Sequence, residues 1–183
     1  MMKMFFDLDG VLFNFVESLF EKFHLEIDPY PFPKGTYDIF PYFESKYKIP
    51  QSKIFSLLRE ESFWENLKTN PKGKELFNMV VKKIGKDSVF FLSKPIVGMP
   101  YSFSGKYKGI AKNFPGFSKN IILTTTHKDI IDNEDIILID DSDEEINKIK
   151  KGKGILFPQP WNSRWKDVDL DVYDLLLEIL KER

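Results

Sequence analysis

Apolar residues in this chain gather in short runs that end on polar ones. Residues 2–6 form such a run, closed by Asp7, which predicts a buried strand. From Phe13 to Phe23 the apolar positions Phe15, Leu19, Phe20 and Phe23 fall at helical spacing, so a helix is expected. Between Asp28 and Phe43 no period survives. Pro29, Pro31, Pro33, Pro41 and six aromatic residues crowd into this stretch, which reads as an ordered but irregular excursion whose rings mainly serve its own core. Ile49–Trp64 returns to helical spacing, with Ile54, Leu57, Leu58 and Trp64 near one face. Lys72–Ile84 predicts a further amphipathic helix, opened by Pro71 and closed by Gly85.

Beyond Gly85 the rhythm becomes regular. Strands are expected at Ser88–Leu92, Asn120–Leu123, Ile136–Ile139 and Ile155–Phe157, and helices at Gly105–Phe114, Ser142–Lys150 and Val168–Leu180. Ser142 suits a helix cap, and the acids after it suit the positive end of the helix dipole. Short apolar strands separated by helices imply an α/β fold, a parallel sheet with helices on both faces. Ligands bind such sheets beyond the carboxyl ends of the strands. Those ends carry Asp7 and Asp9, Ser93, Thr124–Thr126, and Asp140 with Asp141.

Composition narrows the chemistry. The chain has 183 residues, 42% hydrophobic and 30% charged, enough for one packed domain with a small insertion and unlike a disordered chain. Lys and Arg total 27 against 28 Asp and Glu, so nothing favours binding to a nucleic-acid duplex. There is no cysteine and only His24 and His127, which excludes disulfides, a thiolate nucleophile and a Cys- or multi-His metal site. No apolar run approaches the roughly 20 residues needed to span a bilayer. The first residues meet two carboxylates by residue 9, unlike a signal peptide, so a cytoplasmic protein without membrane contact is expected.

Asp7 and Asp9 stand two apart in extended chain and can face one site, while Gly10 permits the turn away from the strand. Adding Asp140 and Asp141 gathers four carboxylates, which repel unless a cation relieves them. An all-oxygen ligand set selects a hard ion, and Mg²⁺ is the expected one. With Ser93 and a lysine, either Lys106 or Lys128, such a site suits a phosphoryl group. Asp7 could attack phosphorus to form an aspartyl phosphate, and Asp9 could act as acid and then base.

The motif FFDLDGVL resembles the first signature of the haloacid dehalogenase (HAD) phosphatase superfamily. The order of FFLSKP, a lysine, and ILIDD agrees with it. The resemblance implies a HAD-like, Rossmann-like core with a small, mainly helical cap inserted after the first strand. The core would be 1–16 and 76–183, and the cap 17–75. Within that superfamily the chain resembles the 5'(3')-deoxyribonucleotidases through DLDGVLFNF, TYDIF, FWENL, LSKPI, GKYKGIAKNFPG, ILTTTHK, LIDD and GILFPQPWN. That likeness implies Asp7 as nucleophile and Asp9 as acid/base. It implies a metal held by Asp7, the main-chain carbonyl of Asp9, and an acid of the pair Asp140-Asp141, with Asp141 preferred. It also implies phosphate binding by Ser93 and Lys128, and a nucleoside pocket lined by Phe15, Phe63 and Trp64.

Four positions depart from that family's usual pattern: Asn14 for Asp, Lys94 for a hydroxyl residue, Gly109 for Trp, and Thr126 for the Arg of animal members. Lys94 adds a charge beside the phosphate-binding residues. The expected substrate is a nucleoside monophosphate. Alternatives are another small phosphomonoester such as a sugar phosphate, or phosphate binding without turnover. A phosphate-accepting receiver is disfavoured, because no acceptor ends a strand near residues 50–60. A homodimer is compatible with the sequence.

Overall fold

A computed structural model describes residues 2–180. Five parallel strands form one sheet: β1 (Lys3–Phe6), β2 (Val89–Ser93), β3 (Ile121–Leu123), β4 (Ile136–Asp140) and β5 (Lys153–Leu156). Their spatial order is β3-β2-β1-β4-β5, so the chain builds outward from β1, then returns to its other side. That reversal beside β1 creates the crevice in which open α/β sheets bind ligands.

The sheet is apolar on both faces, as all-parallel sheets are. Met4 and Phe6 of β1 join Ile137 and Ile139 of β4 in the large core cluster. Phe5, Leu92, Ile136 and Leu138 point into a smaller one. On the large side, α5 (Pro71–Ile84) packs on β2 and on α8 (Val172–Leu180). Phe77 of α5 stacks on Phe91, their ring centres 5.2 Å apart. On the other side lies α7 (Asp143–Lys148), against β4 and β5. Both helices start where their caps dictate. The Asn70 side chain accepts the Gly73 N–H at 3.2 Å ahead of α5, and Ser142 accepts that of Glu145 at 3.4 Å ahead of α7.

Between β1 and α5 run α1 (Phe15–Lys22), α2 (Phe40–Tyr47), α3 (Gln51–Leu58) and α4 (Glu61–Glu65). Here the expected pattern needs two corrections. The irregular stretch 28–43 ends in the start of α2, because Pro41 occupies the first turn, where its missing N–H costs nothing. The single helix expected over 49–64 is two. The break at Glu60, in extended backbone, lets the Trp64 indole N–H donate to the terminal carbonyl of α3, Leu58 O, at 2.8 Å.

A helix expected from Gly105 instead begins at Pro100: α6 (Pro100–Asn113) has proline at its first turn, the same device as α2. It lies hard against α4. A Cβ on Gly105 would meet Glu61 O and Trp64 Cβ at 2.6 Å, and one on Gly109 would meet Trp64 O at 3.2 Å. A tryptophan at 109 has no room while α4 lies there. No helix of the described residues is long and apolar enough to cross a membrane.

Candidate active site

The strand register delivers the acids. Phe6 pairs with Ile139, and the Asp7 N–H continues the ladder to Ile139 O at 2.9 Å. One step further along the two strands come Asp7 and Asp140 side by side. Both are buried, as is Asp141. Carboxylate oxygens of Asp7, Asp140 and Asp141 all lie within 4.8 Å of one another. Gly10 turns the chain away with φ +78°, and a Cβ there would lie 2.1 Å from Asp141 Oδ2. Only a glycine lets Asp141 sit against this turn.

Two buried lysines meet the acids. Lys128 Nζ donates to Asp140 Oδ2 at 2.6 Å and lies 2.6 Å from Asp7 Oδ1. Lys106 donates to Asp9 Oδ2, and to Ser93 Oγ at 3.0 Å. Its ammonium also stands 4.9 Å from the centre of the Trp64 ring. The close packing of α6 on α4 is what brings Lys106 there. The choice between the two lysines that the residues left open is thus not a choice: both reach the site, at opposite ends. Lys94 reaches it too, ion-paired to Glu145 at 2.7 Å. Thr124 and Thr126 bond to each other at 2.9 Å in an exposed turn and are not among the residues lining the recess beside the acids.

The electrostatics follow from burial. Burial raises the Asp9 carboxyl above its ordinary range, Lys106 opposing and Asp7 adding to the effect. Burial and the neighbouring charges of Asp140 and Asp7 push Asp141 well up, and burial lifts Asp140 to about 6 against the pull of Lys128. The same loss of solvent works against the Lys128 ammonium, but Asp140 and Asp7 outweigh it and its pKa rises. Burial also acts on Glu145, yet hydrogen bonds from Lys94, the Lys128 N–H and His127 prevail and hold it down at about 2.

The donor set fits a divalent cation. Both oxygens of Asp140 are taken, Oδ1 by the Ser142 N–H at 2.9 Å and Oδ2 by Lys128. Asp141 differs: Trp161 Nε1 donates to its Oδ2 at 2.6 Å, while its buried Oδ1 has no hydrogen-bond partner among the described residues. A buried, unpaired carboxylate oxygen beside two further acids is what a hard cation satisfies.

The loop after β5 braces this corner. Asn162 Nδ2 donates to Asp141 O at 2.9 Å and to Phe157 O at 2.8 Å, and Gln159 Nε2 donates to Gly10 O. These contacts explain the PQPWN run, for which the residues alone suggest no role.

Two recesses meet here. A polar one of about 170 Å³ is lined by Asp7, Asp9, Ser93, Lys94, Lys128 and Glu145, among others. An apolar cleft of about 360 Å³ includes Phe15, Ile39, Phe40, Trp64, Ile96 and Trp161 in its wall. Asp9 and Tyr37 border both. Phe15 stacks on Trp64 with ring centres 5.5 Å apart. Phe63 stands apart from the cleft: it is buried edge-on behind both rings and borders a separate hollow beside Lys22 and Lys68. Three residues at the two recesses escaped the sequence reading. Tyr37 is among the rings expected in a core, yet it is exposed at the junction, where the charge on Asp141, then burial, pushes its hydroxyl pKa well up. Glu145 looked like an ordinary first-turn acid. Trp161 carried no signal beyond its place in a family motif.

The sequence profile of one family matches residues 1–177, nearly the whole chain: 5' nucleotidase, deoxy (pyrimidine), cytosolic type C protein. The chain belongs to this family. It is therefore a phosphatase of the nucleotidase kind with a HAD-like fold. A solved structure of a haloacid dehalogenase-like hydrolase from Burkholderia xenovorans LB400 superposes with a TM-score of 0.51 at 12% identity, covering 96% of this chain and 97% of that one. That likeness speaks to the fold. No curated protein matches the chain.

Proposed function

We propose that this nucleotidase hydrolyses nucleoside monophosphates with Mg²⁺, through an aspartyl phosphate on Asp7. One observation carries the reading. The polar recess of acids and lysines opens directly into a cleft walled by aromatic rings, and the two share Asp9. A phosphate in the first places a flat, largely apolar group in the second. Phe15 and Trp64 would stack on the base, and α1 to α4, with the loop ahead of α2, would form the cap around it.

Asp7 would attack phosphorus while the bond to the leaving oxygen breaks and Asp9 gives that oxygen its proton. Water then attacks phosphorus, Asp9 takes its proton, and the bond to Asp7 breaks to release phosphate. The raised pKa of Asp9 favours the protonated form the first step needs. Lys106 holds only Oδ2; the buried Oδ1 has no partner among the described residues and is free to carry the proton. Ser93, Lys128 and Lys106 would bind phosphoryl oxygens, with Lys94 at the rim. Mg²⁺, held by Asp7, Asp141 and the Asp9 carbonyl with Asp140 alongside, would supply the positive charge that offsets phosphate against these acids.

Phosphate release from nucleoside 5'- and 3'-monophosphates and sugar phosphates, with Mg²⁺ or EDTA, tests this. Release is expected from nucleotides, with Mg²⁺ only. Asp7→Asn should abolish it, and Asp9→Asn should slow it by about 10²–10⁴-fold. Turnover by Asp7→Asn would remove the nucleophile assignment. A preference for sugar phosphates would remove the nucleoside one.

A further inference from the structure

Glu145 takes no part in that acid chemistry, yet it stands at the wall of the phosphate recess, only 4% exposed. Its two oxygens reach different segments. Oε1 accepts from Lys94 Nζ at 2.7 Å and lies 2.9 Å from His127 Nδ1. Oε2 accepts the main-chain N–H of Lys128 at 2.7 Å. One carboxylate from α7 therefore holds the residue after Ser93 at the end of β2, and also the turn whose ammonium sits between Asp7 and Asp140.

Lys94 is where this hold has most effect. The side chains of Lys106 and Lys128 are 1% and 3% exposed and already committed to acids of the site. That of Lys94 is 34% exposed. A long, strongly hydrated ammonium at such a position turns to solvent unless something fixes it. Around the pair lie His127, 3.4 Å from Lys94 Nζ, and Lys148, which bonds the His127 ring at 2.8 Å and pairs with Glu144. Within hydrogen-bond reach of the Lys94 ammonium, Glu145 is the only carboxylate among the described residues.

We propose that Glu145 is a positioning residue for phosphate recognition: it holds the Lys94 ammonium at the rim of the recess, where it binds the phosphoryl group of the substrate. The inference rests on the recess being the phosphate site, as read above. It assigns Lys94, the departure from the family's hydroxyl residue, a defined job and a defined support.

A double-mutant cycle tests it. Inorganic phosphate is titrated calorimetrically, with Mg²⁺ present, into wild type, Glu145→Gln, Lys94→Met and the double variant; kcat and KM are measured alongside. Gln keeps an oxygen for the Lys128 N–H but loses the ion pair. Phosphate affinity should fall by roughly ten- to a hundredfold in either single variant, the loss of one charge-assisted hydrogen bond. The double variant should lose no more than either single one, and KM should change several-fold more than kcat. Glu145→Asp, which keeps the charge, should recover part of the loss, and Lys94→Met reports the lost ammonium if the Gln variant is unstable. Losses that multiply in the double variant, unchanged phosphate affinity in Glu145→Gln, or an Asp variant no better than Gln would overturn the proposal. A wild type that binds phosphate but hydrolyses no nucleotide would instead remove the substrate reading and leave the cycle interpretable.

Discussion

Without metal, the acid cluster should make this protein respond to pH against the usual trend. Asp7, Asp140 and Asp141 crowd within 4.8 Å, with the single Lys128 ammonium between two of them. Burial, then the charge on Asp7, lifts Asp140 to about 6 from an open-chain value of 3.8, although Lys128 pulls the other way. A carboxyl that ionises less readily in the folded than in the unfolded chain destabilises the fold wherever it is ionised. The penalty is full above pH 6 and vanishes as pH falls from there toward 3.8. Two pKa units are worth on the order of 3 kcal/mol. Asp141 and Asp9 shift in the same direction. Glu145, held at about 2, acts oppositely, but its contribution is lost only below its ordinary value of 4.5.

Between pH 7.5 and 5 the raised acids therefore govern. For a domain of this size 1 kcal/mol moves the melting temperature by about 2–4 °C. In EDTA, melting temperature should climb by on the order of 5–10 °C from pH 7.5 to 5, then fall below about pH 4.5. Mg²⁺ added at pH 7.5 should recover a similar amount, since ligand at 100 times its Kd stabilises by about 2.7 kcal/mol, and its effect should fade at pH 5. Circular-dichroism melts across pH 4 to 8, with EDTA or Mg²⁺, decide it. A melting temperature in EDTA that drops steadily from pH 7.5 to 5, with no response to Mg²⁺, would refute the picture of a frustrated acid cluster that awaits a cation.

Two substitutions probe the corner around Asp141. Gly10→Ala puts a methyl 2.1 Å from Asp141 Oδ2 at a backbone φ of +78°, so it should cost stability and blunt the Mg²⁺-induced rise in melting temperature; an unchanged Mg²⁺ response would show that Asp141 does not need this turn. The strain alone is worth about 1–3 kcal/mol, readable in urea unfolding. Trp161→Phe keeps the ring but removes the donor 2.6 Å from Asp141 Oδ2. Its Mg²⁺ affinity, from titration of activity, should weaken by about 10–100-fold, the usual effect of losing a group that orients a metal ligand, and unaltered affinity would exclude this role.

The acid end of the site was legible because it rests on strand ends. An apolar run must become a strand, and a strand's last residue must lie at the sheet's edge. Asp7, Ser93 and Asp140 are thus placed by local pattern and parallel topology alone. From the residues alone Lys106 and Lys128 are candidates without an order of preference, and only the family resemblance favours Lys128, because a lysine's reach depends on where its helix or turn is packed. For Lys106 that is the glycine-lined seam between α6 and α4, a contact between segments some forty residues apart. Glu145 was hidden for the opposite reason. In the first turn of a helix an acid is expected on dipole grounds, so nothing local separates one that bonds Lys94 from one that faces water. The breaks in the helical pattern were missed where tertiary bonds overrode it, as with the Trp64 indole closing α3.

These two kinds of legibility match a division in the molecule. Asp7, Ser93 and Asp140 are fixed at the end of a hydrogen-bonded ladder, which leaves their backbone one arrangement. Most residues that line the aromatic cleft, Phe15, Tyr37, Ile39, Phe40 and Trp64 among them, come from the segment between β1 and α5, which adds no strand to that ladder. Its geometry rests on side-chain packing, such as Phe15 on Trp64 and Phe20 on Phe43 with ring centres 5.1 Å apart. Packing tolerates exchange of one apolar group for another of similar volume, whereas a ladder tolerates no change of register. Substitutions in that segment should therefore alter which leaving group is accepted while the phosphate chemistry stays in place. Lys94 joins the two regimes, since its backbone belongs to the strand end while its ammonium, through Glu145, depends on a helix of the core.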